Sequence, residues 1–324
     1  MSDLPVLDVR PYQLMCAICS LGCETSQGVA HDNARVLLEA VRGGASLPLR
    51  LRCNVDSVHA YQNPGRGDDT SEGELYNEKR DLDILQKLGL VPGDARPARE
   101  LFLRLLDAIA SPQGICGYGE ATSRDWSGCP RVSSGDYERG HALGLGAVVP
   151  PRDDGAKAAA KERSAPELYD TVPLQIRPHH LMCMACFHGG RADLDPIAED
   201  NLFEAIEAVQ KSPNLPITLV RGCCMICPPC SQFDPATQLC VSPHAMGLRD
   251  QKKDLDVLQL LGLQYGDTLP ARELYGRLFA AVEDTTQVCG YGDGVARSRE
   301  WSVCRGSGGS EQYRLARAAR LGLP

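Results

Sequence analysis

The sequence predicts a mostly α-helical fold, α+β in class with few short strands, built as two tandem repeat domains with pseudo-two-fold symmetry. Three observations carry this. The stretch Arg10-Pro11-Tyr12-Gln13-Leu14-Met15-Cys16-Ala17-Ile18-Cys19 returns as Arg177-Pro178-His179-His180-Leu181-Met182-Cys183-Met184-Ala185-Cys186. After each copy come matching segments whose apolar residues fall three and four apart, the period of a helix with one buried face. Each copy also contains one short run of alternating hydrophobicity, the period of a strand. The boundaries read as 1–145 for a degenerate first repeat, 146–172 for a linker and 173–324 for a Cys-rich second repeat. A chain of 324 residues suits two such domains better than one core.

The elements follow in order. Asp32-Asn33-Ala34-Arg35-Val36-Leu37-Leu38 matches Asp200-Asn201-Leu202-Phe203-Glu204-Ala205-Ile206, and both read as amphipathic helices with Asp32 or Asp200 as caps. Leu47 to Cys53 and Leu215 to Cys223 are the alternating strands. A lone strand leaves backbone groups unpaired. The two are therefore expected to pair with each other across the pseudo-two-fold axis, or each with an extended segment not evident from pattern. Lys79-Arg80-Asp81-Leu82 and Lys252-Lys253-Asp254-Leu255 open helices that stop at Gly89 and Gly262, as a left-handed C-terminal stop requires. Pro97 and Pro270 are expected in the first turn of the next helix. Each half closes on a helix, near Tyr137 to Leu143 and Gln312 to Leu321. Between the halves, Val149-Pro150-Pro151 and Ala156-Lys157-Ala158-Ala159-Ala160 have linker composition, with room for one helical turn.

Composition narrows the function. Net charge is -8 and the isoelectric point about 5.4, which argues against nucleic acid as a partner. The N-terminal residues lack the pattern of a secretory signal, and no apolar run reaches the roughly 18 residues of a membrane helix. The expected location is cytoplasmic, with no membrane partner. Fifteen cysteines in such a chain are then anomalous. Disulfides are rare in a reducing compartment, so Cys-x-x-Cys spacing there points to metal or redox chemistry.

The repeat sorts the cysteines. Cys16, Cys19, Cys116 and Cys129 in the first half match Cys183, Cys186, Cys289 and Cys304 in the second, and Cys53 matches Cys223. Each half thus keeps a Cys-x-x-Cys near its start and two remote cysteines near its end. Four thiolates suit tetrahedral zinc or a [4Fe–4S] cluster. The remote cysteines do not form a second compact knuckle, which favours the cluster. The second half adds Cys224-x-x-Cys227-x-x-Cys230, the run of bacterial ferredoxins, with Cys240 as fourth ligand. Cys223 competes with Cys224 for that set, and Cys53 and Cys223 are the alternates between ligand and core. Cys23 reads as a buried thiol.

The run Arg-Pro-His-His-Leu-Met-Cys from Arg177, the strand ending in Cys, the Cys-x-x-Cys run and the helix Arg249-Asp250-x-x-x-Asp254-Leu255 together resemble the Cys-rich domain-of-unknown-function family 1284. Its members are small bacterial and archaeal proteins suspected of binding iron–sulfur clusters. The resemblance covers most of 175–305, with 8–130 as a degenerate second copy. It implies ligands at Cys183, Cys223 or Cys224, Cys227 and Cys230, and supplies no reaction.

His179 and His180 are the candidate catalytic residues, able to hydrogen bond to a cluster, ligate iron or move protons beside it. The plainer reading buries His180 against the start of its helix. His188 and His244 read as loop histidines. Tyr118, Tyr291, Trp126 and Trp301 read as walls around the cysteines, Arg10 and Arg177 as structural ion-pair partners, and Arg314, Arg317 and Arg320 as a solvated helix face. No phosphate-binding glycine loop or hydrolase motif is evident. The expected function is multi-cluster iron–sulfur electron transfer, two or three clusters per chain, to a redox partner protein, from a monomer or homodimer. The alternatives are a redox enzyme with a catalytic cluster near His179 and His180, and a structural zinc module.

Overall fold

The computed structural model describes residues 5–23, 29–44, 47–54, 69–241, 248–290, 301 and 304–324. About half of the chain is helical, with a few short strands. It divides into two compact units, Met1–Pro151 and Arg152–Pro324.

The first unit runs β1 (Leu7–Val9), α1 (Pro11–Leu21), α2 (Val29–Gly43), β2 (Pro48–Leu51), α3 (Glu74–Leu88), β3 (Ala95–Pro97), α4 (Ala98–Ala108), α5 (Asp136–Ala142) and α6 (Leu145–Val148). The predicted strand β2 is central. It pairs in parallel with β1 and antiparallel with β3. Its backbone is thus satisfied by two three-residue strands, too short and, in Ala95-Arg96-Pro97, too polar to show alternation.

The second unit begins with α7 (Asp154–Asp170), then β4 (Leu174–Ile176), α8 (His180–Gly189), α9 (Leu202–Lys211), β5 (Pro216–Leu219), the hairpin β6 (Phe233–Asp234) and β7 (Leu239–Cys240), α10 (Leu248–Leu261), β8 (Thr268–Pro270), α11 (Ala271–Ala281), α12 (Thr286–Cys289) and α13 (Glu311–Ala318). Its main sheet has the order and senses of the first: β5 parallel to β4 and antiparallel to β8.

Local chemistry explains the boundaries. Helices α3 and α10 stop at Gly89 and Gly262 with φ of 65° and 63°, a conformation glycine adopts without a Cβ clash. Asp200, expected as the cap of α9, instead precedes the N-cap Asn201 and accepts the Leu202 N–H at 2.8 Å. Asp32 lies inside α2, which begins at Val29. Pro97 and Pro270 are the N-cap residues of α4 and α11, one position before the first turn where they were expected. Both also end strands, because a fixed φ with no N–H suits an edge position.

Most of 146–172, expected as a linker, is the 17-residue helix α7. The Ala-Lys-Ala-Ala-Ala-Lys-Glu run that reads as spacer is strong helix former. Asp153 caps it through the Ala156 N–H at 2.9 Å, and Ala160, Ser164 and Leu168 are buried along one side. Lys161 fixes it to α9 through Glu204 at 2.7 Å.

Each unit has its own apolar core. Leu14, Met15 and Ile18 of α1 are fully buried, as are Leu181 and Met184 of α8. These side chains set the roll of the Cys-x-x-Cys helices, at roughly 1.5–3 kcal/mol for each. Backbone contact then joins the start of each unit to its end. A Cβ on Gly140 of α5 would overlap the Ile18 carbonyl of α1, and one on Gly189 of α8 would overlap the Gln312 carbonyl of α13. Only glycine lets these helix pairs approach so closely.

Candidate metal centres

Each Cys-x-x-Cys helix hangs from a buried arginine–aspartate pair of its own unit. Arg10 Nε donates to Asp81 Oδ2 at 2.5 Å. Arg177 Nε and its terminal nitrogen donate to Asp254 Oδ2 at 3.0 and 2.7 Å. The other carboxylate oxygen accepts the first backbone N–H after the proline, from Tyr12 at 2.9 Å and from His179 at 3.0 Å. Arg10 and Arg177 thus have the structural role expected. The carboxylates on α3 and α10 were not singled out from the sequence, although they occupy the same place in both Lys-Arg/Lys-Asp-Leu segments.

In the first unit this anchor presents Cys16 and Cys19, three apart and so on one helix face. Cys116 and Cys129 arrive from the far end of the unit. The Cys129 N–H donates to the Cys116 carbonyl at 2.8 Å. Gly128 permits the approach: its φ is 84°, and a Cβ would press on the Cys116 backbone. The four thiols influence one another's ionisation. Burial pushes Cys16 up to about 11, with Arg80 opposing and Cys129 reinforcing. Burial pushes Cys116 up to about 12, again opposed by Arg80 and reinforced by Cys16 and Cys129. Cys19 rises through burial, then through Cys16, Cys116 and Cys129.

The second unit repeats the arrangement. Cys183 and Cys186 share a face of α8, Cys289 ends α12, and Cys304 precedes the 3-10 turn Arg305–Gly308. Cys186 Sγ lies 3.8 Å from Ser310 Oγ, and Ser310 caps α13 by accepting the Tyr313 N–H at 3.3 Å. Cys183 is raised by burial, lowered by Lys253 and raised again by Cys186 and Cys304. A hydrogen bond from Cys289 is the main reason Cys304 falls to about 5.

A buried cation faces each quartet from the same helix position: Arg80 on α3 and Lys253 on α10. Sequence reading passed over both. A four-thiolate centre carries concentrated negative charge, and a nearby buried cation offsets it. Among the described residues, the Nε of Arg80 has no hydrogen-bond partner. Orphaned donors of this kind are uncommon in protein interiors and suit a site whose charged occupant supplies the acceptor. The donor chemistry, four soft sulfurs beside a cation, fits a thiolate-ligated zinc or iron–sulfur cluster; loading it would release the thiol protons.

The third group lies in the loop after β5. The Cys227 N–H bonds the Cys224 carbonyl, the Cys230 N–H the Cys227 carbonyl and the Phe233 N–H the Cys230 carbonyl, at 2.9, 2.9 and 3.0 Å. Three successive turns thus hold the run. Asn201 fixes it from α9, donating its backbone N–H to Ile226 at 3.1 Å and its side-chain amide to Met225 at 2.8 Å. Arg152 donates to the Pro228 and Cys230 carbonyls.

Cys223, Cys227, Cys230 and Cys240 line one cavity of about 170 Å³, together with His180 and Cys183. That is roughly tenfold the 10–15 Å³ one water needs, so a single ion would leave most of it unfilled. The expected set placed Cys224 with Cys227, Cys230 and Cys240. Cys223 and Cys224 both line a second cavity on the other side of the loop with Met225 and Pro228, and Cys224 Sγ sits 4.0 Å from Cys227 Sγ. Cys227 is held well below the usual thiol range by hydrogen bonds from Cys223 and Cys224.

The histidine pair divides its work. His179 is buried, and its Nδ1 lies 2.8 Å from Asp254 Oδ1. It belongs to the anchor. His180 Nδ1 lies 3.2 Å from Cys224 Sγ. Burial lowers its pKa to about 4, so it is a neutral imidazole. His180, Cys224 and Cys227 bring ligand atoms within 4.8 Å of one another, and so do His179, His180 and Cys183.

The other sequence candidates fall away from these groups or outside the described residues. Cys53 is buried in the core and pushed up to about 12 by burial and then by Asp81 of the anchor, so the structure does not bring it to the quartet. Cys23 and His188 are half-buried, and Cys23 is not lodged in the core as expected. Tyr118 packs edge-on against Tyr76 with ring centroids 6.3 Å apart, and Tyr76 lies beside Cys116 and Cys129. Tyr291 and His244 lie outside the described residues, and Trp126 and Trp301 are half-buried.

No family model, curated protein or solved structure matches the chain; the family resemblance rests on the quoted motifs alone. No described helix is long and apolar enough to cross a membrane.

Proposed function

We propose that this chain is an iron–sulfur electron-transfer protein. It would hold one four-thiolate cluster in each unit, on Cys16, Cys19, Cys116 and Cys129 and on Cys183, Cys186, Cys289 and Cys304. A third centre would lie in the second unit on Cys223, Cys227, Cys230 and Cys240. What supports this reading is that, in each unit, four thiols distant in sequence influence one another's ionisation beside a buried cation, Arg80 or Lys253. Bound clusters of this kind accept and donate single electrons, and full thiolate ligation leaves no open iron for substrate. The chain's own residues would hold each cluster, shield it and offset its charge through Arg80 and Lys253. The donor and acceptor would be a redox partner protein of the cytoplasm. Duplication of one unit within the chain can stand in for a homodimer.

A second reading has one observation in its favour. His180 faces the Cys-lined cavity as a neutral imidazole, so the third centre could be ligated incompletely by thiolate and act as a redox catalyst. Paramagnetic resonance of the anaerobically purified, reduced chain tests the partition. Cys227→Ser should remove one signal and leave the others; loss of every signal would refute three separate centres. A signal from the third centre that shifts in His180→Ala would favour the second reading.

A further inference from the structure

The second unit carries a basic groove that no cysteine lines. It lies between α11 and α13 with the turn after α13, and it encloses about 570 Å³, inside the roughly 300–1,000 Å³ usual for small-molecule pockets. Arg272 stands on α11, Arg314 and Arg317 on α13, and Arg320 in the turn. The buried Tyr275 and Phe279 line the groove together with Gly276.

The first unit gives a position-by-position comparison. Tyr137 and Tyr313 are both buried, and their hydroxyls donate to the Ile109 and Val282 carbonyls at 2.7 and 3.3 Å. His141 Nε2 and Arg317 Nε bond the carbonyls of Leu106 and Phe279 at 2.7 and 2.6 Å. Counted from these shared bonds, Gly276, Arg314, Arg317 and Arg320 occupy the places of Leu103, Glu138, His141 and Gly144. Four differences fall in one groove. They add three guanidinium groups, of which Arg314 pairs with Glu311 at 3.0 Å, and empty a leucine's volume.

Two of these differences run against backbone preference. Gly276 is inside a helix, where glycine is unfavourable, and a Cβ there would meet nothing within 4 Å. Packing therefore does not call for it. Gly144 has a φ of 71°, whereas Arg320 and Leu321 take φ of 49° and 57°, a left-handed conformation that costs residues with a Cβ. Fully buried Leu321 holds that turn in place and Arg320 at the rim.

We propose that this groove binds a small polyanion, a molecule bearing clustered phosphate or carboxylate groups. Planar guanidinium forks match both groups, and their convergence on one groove stands out in a chain of net charge -8. Titration calorimetry of the full chain with pyrophosphate, and separately with citrate, tests this and tells the two chemistries apart. At least one should bind saturably.

Gly276→Leu keeps every arginine and restores the first unit's residue, and Arg320→Gly relieves the strained turn. Each should weaken binding about tenfold or more, the scale of a lost charge-assisted pair, while Arg320→Gly should unfold no earlier than wild type. The proposal is overturned if neither anion saturates, if only an acidic protein binds, or if Gly276→Leu binds as wild type does.

Discussion

The two Arg-Pro helices differ most instructively at one position. In the first unit Gln13 turns back and accepts the Arg10 N–H at 2.8 Å, closing the start of α1 on itself. In the second, His180 takes that place and reaches Cys224 at 3.2 Å. The preceding residue is alike in both units, since Tyr12 and His179 each give a backbone N–H to the anchoring aspartate. One frame thus serves two purposes. The anchor positions a cysteine pair in both, and the next side chain either caps the helix or links it to a further cysteine loop.

The shared frame is where the largest effects should be found. Asp254→Ala leaves the buried Arg177 without its carboxylate, and breaking such a pair costs about 3–5 kcal/mol; Asp81→Ala should cost less, because Arg10 keeps Asp69 at 3.2 Å. Denaturant unfolding of the full chain should show a loss for both variants, the larger for Asp254→Ala. A loss confined to Asp254→Ala would mean that the frames are not equivalent.

Gly140→Ala and Gly189→Ala come next. Each would push a Cβ into the facing helix's backbone, and overpacking of this kind costs about 1–3 kcal/mol or more. If each quartet holds a cluster as proposed, both should also lower metal retention, because each shifts the helix that carries the Cys-x-x-Cys. Normal metal content in both would separate quartet assembly from helix contact.

The smallest effects should fall at the differing position itself. Gln13→Ala removes a cap interaction worth about 1 kcal/mol and should leave every metal signal intact. His180→Ala should do the reverse, with little change in unfolding but an altered spectrum from the third centre. Equal spectroscopic effects from the two would erase the distinction.

Sequence periodicity made the long helices and the central strands legible, because each spans enough residues to show its own period. The flanking strands were not, since three residues carry no period. Helix α7 was hidden by its alanine- and lysine-rich composition, shared by spacers and helices alike. Arg80 and Lys253 escaped notice because a charged residue on an amphipathic helix ordinarily faces water, and only the fold turns them toward thiols. The choice between Cys223 and Cys224 could not be read from spacing, since adjacent residues serve a Cys-x-x-Cys pattern equally well, and both thiols lie beside Cys227.

The central claim is that the converging thiols hold iron–sulfur clusters. Quantitative iron, acid-labile sulfide and zinc analysis of the anaerobically purified chain tests it most directly. The expected result is iron and sulfide in near-equal amounts, falling together when Cys16 or Cys183 is replaced by serine. Stoichiometric zinc with neither iron nor sulfide would contradict it.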